Sequence, residues 1–199
     1  MTASRNRRAS TRRRAILGSL LLLALLGSGD PPRACGDTRI ASEYVLKAAM
    51  IYNLALFVEW PEQSFSSATQ PMSVCVLGDD PFGAALEANI SGKTVRGREM
   101  QIRRTQKPSE LQGCHILFVS QSERKRLAEI MAAVGSASTL TIGDMKEFVE
   151  EGGVIGFTTG NERIRIEINL KAAQRAGLKI SYKLLSLATV RGPEAKNLQ

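Results

Sequence analysis

The chain has 199 residues, 43% of them hydrophobic and 23% charged, which suits one domain with a sizeable core and excludes a disordered polyelectrolyte. Its formal net charge of +8 is unevenly placed: removing Arg5, Arg7, Arg8, Arg12, Arg13 and Arg14 from the 27 basic residues leaves 21 against 19 acidic ones. That near-balance gives no support for nucleic acid as a partner.

The arginines precede an apolar run, AILGSLLLLALL, that is too short to span a bilayer and has the flanks of a signal peptide. Small residues Gly27 and Gly29 favour cleavage before Asp30. Residues 1–29 are therefore expected to be an export signal, read by the Sec route rather than the twin-arginine one, and the mature protein to be periplasmic. Cys35 lacks the apolar and small residues that a lipid attachment site needs before it, since Pro32 and Arg33 stand there. Residues 30–41 are expected to be a flexible tail.

A helix is expected from Ser42, where Tyr44, Val45, Ala48, Ile51, Tyr52, Ala55 and Leu56 recur at helical spacing, until Pro61 stops it. Its last turns, through Leu54, Phe57, Val58 and Trp60, leave few polar positions, so it is buried on most sides or packs on another chain. Next, MSVCVL from Met72 reads as a buried strand, with Asp80 as N-cap and Pro81 as first residue of the following helix. Short extended runs around Gly92 and Gly97 lead to a strand at Met100–Arg103.

Cys114 to Ser120, CHILFVS, repeats the look of the first strand, and a helix facing the sheet is expected over Glu123–Val134. The two strands should be parallel and adjacent, which puts their cysteines within reach of a direct Cys75–Cys114 bridge. In an oxidising compartment such a pair is expected to close. A short strand at Thr139–Ile142 follows, then a brief helix MKEFVEE capped by Asp144 and ended by Gly152 and Gly153. Val154–Thr158 and Ile164–Ile168 flank hairpin residues, and within the second arm Arg165 and Glu167 point away from Ile164, Ile166 and Ile168. Asn169 caps a helix to Ala176, SYKLLSLATV reads as a last amphipathic helix, and the tail from Gly192 as disordered. The expected fold is α/β, a three-layer, mostly parallel open sheet flanked by helices with one C-terminal antiparallel hairpin, over residues 42–191.

Catalytic signals are sparse. GDDPFG lacks the lysine and hydroxyl residue of a phosphate loop, and its aspartates repel phosphate. The one histidine, His115, opens a strand, which gives neither a metal set nor a triad. The expectation is a protein without catalytic residues, metal or cofactor, with Trp60, Arg165 and Glu167 as candidate contacts to a partner or ligand.

Taken together, YVLKAAMIYNLALFVEWP, VCVLGDDPFG, GKTVRGR, CHILFVS, LTIGD, EGGVIGF, IEINLKAAQRAGLKIS and KLLSLA resemble the YfiR/HmsC-like periplasmic proteins over almost the whole mature chain. The resemblance implies a periplasmic repressor that binds the periplasmic sensory domain of an inner-membrane diguanylate cyclase, lowers cyclic di-GMP and so restrains biofilm and exopolysaccharide production. It also implies a homodimer and a disulfide that makes repression redox-sensitive. Cys75 and Cys114 fall on one family cysteine pair; a second pair would lie near Val149 and Gly156, neither of which is cysteine. A second reading is a periplasmic module that binds a small solute or lipid on behalf of another membrane receptor or sensor kinase.

Overall fold

The computed structural model describes residues 35–160 and 163–191. The expected export signal, its cleavage site and the tail from Gly192 lie outside them. The architecture below is that of the compact unit formed by residues 37–199, whose first helix starts at Cys35. In chain order its elements are α1 (Cys35–Leu56), β1 (Val58–Glu59), β2 (Met72–Leu77), α2 (Ala84–Ile90), β3 (Thr94–Val95), β4 (Arg98–Thr105) and β5 (Ile116–Val119). They continue with α3 (Leu127–Val134), β6 (Leu140–Gly143), β7 (Ile155–Gly160), β8 (Arg163–Asn169), α4 (Leu170–Arg175), β9 (Lys179–Ile180), α5 (Tyr182–Leu185) and β10 (Thr189–Arg191).

Eight strands form one mixed sheet in the order β10-β8-β7-β6-β5-β2-β4-β3, and β1 pairs with β9 apart from it. The centre, β4-β2-β5-β6-β7, is parallel, while β7-β8 and β3-β4 are antiparallel. Period-two alternation divides the strands between two cores. Val74, Val76, Ile116 and Phe118 face one cluster with α1, α2, α4 and α5, whereas Cys75, Leu77, Leu117 and Val119 face a second with α3. The expected three-layer α/β architecture is the one observed, and Asn169 caps α4 by accepting from Ala172 N.

Five local expectations are corrected. α1 starts at Cys35 rather than Ser42, whose Oγ donates back to Arg39 O at 2.7 Å within the helix. The same helix stops at Leu56, four residues short of Trp60. Asp80 does not cap a helix begun at Pro81: its Oδ1 accepts from Phe82 N and its Oδ2 from Arg104, and α2 starts three residues later, at Ala84 behind Gly83. MKEFVEE forms turns rather than a helix, with Glu147 at φ 69°, because Asp144 is engaged elsewhere. Gly153 serves the Phe148 ring, to which a Cβ at that position would come within 2.2 Å. Finally, the expected last helix is cut to one turn, and Thr189–Arg191 joins the sheet edge beside β8.

Cys75 and Cys114 are disulfide-bonded, with Cα atoms 5.8 Å apart. Cys114 stands two residues ahead of β5, and both cysteines are buried. The bridge closes a sequence separation of 39, for which loop entropy alone gives about 4 kcal/mol. Cys75→Ser and Cys114→Ser are each expected to lower unfolding free energy by roughly that order, as read by urea titration against the oxidised parent. Reductant should shift the parent midpoint and leave both variants where they are.

Candidate functional site

The sheet order reverses between β2 and β5. From β2 the chain passes through α2 to β4 on one side, and from β5 through α3 to β6 on the other. Crossovers that diverge in this way leave a crevice at the carboxyl ends of the two strands, where open α/β sheets place their ligands. Here the crevice holds about 610 Å³ and is lined by Ile40, Glu43, Tyr44 and Lys47 of α1, Asp79, Asp80 and Pro81 after β2, and Ser120, Gln121 and Ser122 after β5.

Its floor is shaped by Gly78, whose φ of +90° a side chain would resist and whose Cβ would come within 2.4 Å of Ser122 Oγ. The close approach lets Asp79 N donate to Ser122 Oγ at 3.0 Å. Beside it is a buried charged network. Lys47 Nζ bonds Glu43 Oε1 at 2.7 Å and Asp144 Oδ2 at 2.6 Å, with the Lys47 and Asp144 side chains only 3% and 1% exposed. Tyr44 Oη donates to the same Asp144 oxygen at 2.7 Å, and Thr159 Oγ1 of β7 donates to Glu43 at 2.9 Å. Among the described residues, Asp144 Oδ1 has no hydrogen-bond partner.

Burial, reinforced by the Asp144 carboxylate, holds the Tyr44 hydroxyl well above its ordinary range, so it remains a donor. Burial alone would raise Glu43, but the bonds from Lys47 and Thr159 outweigh it and hold that carboxyl below its ordinary value. The cleft therefore combines fixed charge with hydroxyls and can hold a polar ligand. Among the described residues no group of three or more His, Cys, Asp or Glu side chains could hold a metal ion.

A second crevice of about 710 Å³ lies between the end of α3, the start of β6 and α4. Its buried threonines are already engaged: Thr139 Oγ1 donates to Cys114 O, and Thr141 Oγ1 accepts from Val154 N. Glu150, Glu151, Lys171 and Arg175 on its rim are all exposed. It lacks the buried charge of the first crevice.

The residues singled out from sequence do not converge. Trp60 is half-buried and donates from Nε1 to His115 O at 3.1 Å. His115 is buried and stacked on Phe65 at 4.3 Å; its Nδ1 accepts from Ser73 N and its Nε2 reaches Ser64 O. Both residues thus tie the amino edge of the sheet together. Arg165 is exposed on β8, while Glu167 on the same face is bonded to Arg191 of β10 at 2.6 Å. Sequence reading missed Lys47, Asp144 and Tyr44. The available signal was a lone lysine on the apolar stripe of α1, four residues after Glu43.

A family model described as YfiR/HmsC-like matches residues 44–189. A crystal structure of a conserved domain protein from Vibrio cholerae O1 biovar El Tor is 14% identical, with a TM-score of 0.50 over 74% of this chain and 59% of that one. The chain thus spans less than two thirds of that protein, and the likeness shows the fold alone. The ABC domain in complex with L-Trp from Streptococcus pneumoniae is 12% identical, with a TM-score of 0.48 over 60% of this chain and 55% of that one.

Burial holds the His115 imidazole below its ordinary value of 6.5; the Ser64 carbonyl opposes this and the nearby Arg98 adds to it. The unfolded chain therefore binds more protons than the folded one below about pH 6.5, so stability is lost as the pH falls toward the depressed folded value. The expected outcome is a larger fall in melting temperature between about pH 7.5 and about pH 5.5 for the parent than for His115→Gln. Equal slopes in scanning calorimetry would refute it.

Proposed function

The chain belongs to the YfiR/HmsC-like family, and from that premise we propose that it is a periplasmic repressor which binds the periplasmic sensory domain of an inner-membrane diguanylate cyclase. The family is periplasmic and regulatory, and the match over residues 44–189 carries the reading. Binding holds the cytoplasmic output off and lowers cyclic di-GMP. Redox state acts through the one remaining bridge, and the repressor works as a homodimer.

The outer face of α1 supports this reading. Val45, Leu46 and Leu56 are 51%, 52% and 43% exposed, and from Val45 to Leu56 the only charged residue is Lys47, which is buried. A helix whose sole task was to cover the sheet would carry charge on its outer face. An exposed, uncharged apolar stripe suits a protein partner. Arg165, with Arg163 beside it on β8, offers a charged rim, whereas Trp60 acts through the packing that holds the end of α1 in place. A second reading, a solute-binding module, draws on the crevice at the ends of β2 and β5. No helix of the described residues is long and apolar enough to cross a membrane.

Deleting the gene is expected to raise cellular cyclic di-GMP, and deleting the partner cyclase as well should abolish the rise. Leu46→Asp should retain the parent melting temperature to within roughly 3 °C and lose most of its capture of the cyclase's periplasmic domain. Unchanged cyclic di-GMP in the single deletion, or undiminished capture by Leu46→Asp, would overturn the respective claim.

A further inference from the structure

From Ile168 to Arg191 the chain carries Lys171, Arg175, Lys179, Lys183 and Arg191 and no acid. Arg191 is bonded to Glu167, and Lys171 and Arg175 share their crevice with Glu150 and Glu151. Lys179 and Lys183 are exposed and, among the described residues, form no ion pair. Both stand beside the end of α1. Lys179 lines a shallow crevice of about 230 Å³ with Leu56, Phe57 and Ile180, and the one acid in that lining, Glu59, is bonded to Arg96 at 2.9 Å. Lys183 Nζ lies 5.5 Å from the centre of the Phe57 ring, and Lys93 Nζ lies 4.2 Å from that of Tyr52, one helical turn before Leu56. Aromatic faces rather than carboxylates hold these two ammonium groups, so their charge is positioned without being neutralised.

A second observation is independent of the charge. Tyr182 and Leu187 are 72% and 71% exposed, more than any other large hydrophobic side chain among the described residues. They flank Lys183 on a single pinned turn: Leu184 is buried beneath it, Ser181 caps it by accepting from Leu184 N, and Leu187 N closes on Leu184 O. The outward side of that turn is thus an aromatic tip, an ammonium and a leucine tip, with half-exposed Leu56 across the crevice from Ser181.

We propose that the end of α1, β9 and α5 form a docking face for an anionic phospholipid surface. Lys93, Lys179 and Lys183 meet the lipid phosphates, and Tyr182 and Leu187 enter the headgroup layer between them. Lysine is depleted from protein–protein contacts, whereas lysines interleaved with aromatic and leucine tips are the composition of a segment that lies on a bilayer. Leu56 is where this face meets the apolar stripe of α1, so a chain resting on lipid would hold Val45 and Leu46 near a membrane-borne partner. The inference goes beyond the proposed repression and does not rest on it.

The test is co-sedimentation of residues 30–199, oxidised, which keep the whole compact unit of 37–199. The vesicles are phosphatidylcholine alone or with about 30% phosphatidylglycerol. Binding is expected only with phosphatidylglycerol and should fall as salt rises from about 0.05 to about 0.5 M. Lys179→Gln with Lys183→Gln should weaken it about thirtyfold, and Leu187→Ser about tenfold. Arg124→Gln with Lys125→Gln removes the same two charges ahead of α3 and should leave binding unchanged. All these positions are exposed, so each variant should keep the parent melting temperature to within roughly 3 °C. No binding to the mixed vesicles, equal binding to phosphatidylcholine alone, or an equal loss in the Arg124/Lys125 variant overturns the proposal. Capture by poly-L-glutamate as tight as by the mixed vesicles and unaffected by Leu187→Ser would assign the face to an acidic protein instead, and so overturn it too. None of these results bears on cyclase capture.

Discussion

The pairing of β2 with β5 is the constraint on which the rest of this fold depends. At its amino end the two strands exchange bonds through Ser73 and His115, which meet as His115 N to Ser73 O and Ser73 N to the imidazole, and the disulfide adds a covalent tie. At its carboxyl end Ser120 N donates to Leu77 O, and Gly78 lets the following loops approach closely. The crossovers leave this pair in opposite directions, so the helices part above it and a crevice is unavoidable. The same strand contact that makes the core continuous also sets where a ligand can enter.

α1 is the strut that joins both ends of that pair. At its middle Lys47 is bonded to Asp144, beyond the carboxyl end of β6; after its end Trp60 is bonded to the backbone of His115. Desolvating Lys47 and Asp144 is costly, and a buried ion pair is weak evidence for added stability. What it does supply is position: a helix able to slide along an apolar sheet face has one place where its lysine meets both Glu43 and Asp144. One helix therefore presents Tyr44 and Lys47 to the crevice and Val45, Leu46 and Leu56 to solvent.

The architecture was legible wherever a local pattern decided it. Alternation in MSVCVL and CHILFVS identified buried parallel strands, and the β7–β8 hairpin and the Asn169 cap followed from residues close in sequence. Asp80 and Asp144 were misread as helix caps for one shared reason. A short polar side chain ahead of a helical pattern can satisfy a helix end, but it takes another partner when tertiary structure brings a stronger one, here Arg104 and Lys47. The buried network was illegible because its members are as much as 116 residues apart. Trp60 drew attention as an aromatic beside an apolar helix, and its indole donor is spent inside the fold.

The positions where the family resemblance implies a second cysteine pair, near Val149 and Gly156, can be weighed against the bridge that is present. Val149 and Gly156 are seven residues apart in sequence, and a Cβ added at Gly156 would come within 3.1 Å of Val149 Cγ1, so the two sites are already neighbours without a covalent tie. A bridge there would close a short loop, worth about 2.5 kcal/mol on the loop-entropy relation, against about 4 kcal/mol for the loop between Cys75 and Cys114. The longer loop also contains the whole excursion through α2, β3 and β4, which returns beside β2. Its closure restrains the topological step that creates the crevice. The shorter one would restrain only a turn that Val149, the Phe148 ring seated on Gly143 and Gly153, and the Asn169 side chain bonded to Val149 O already hold. The bridge that this chain retains is thus the one with the larger effect on the unfolded state and the nearer connection to β2 and β5.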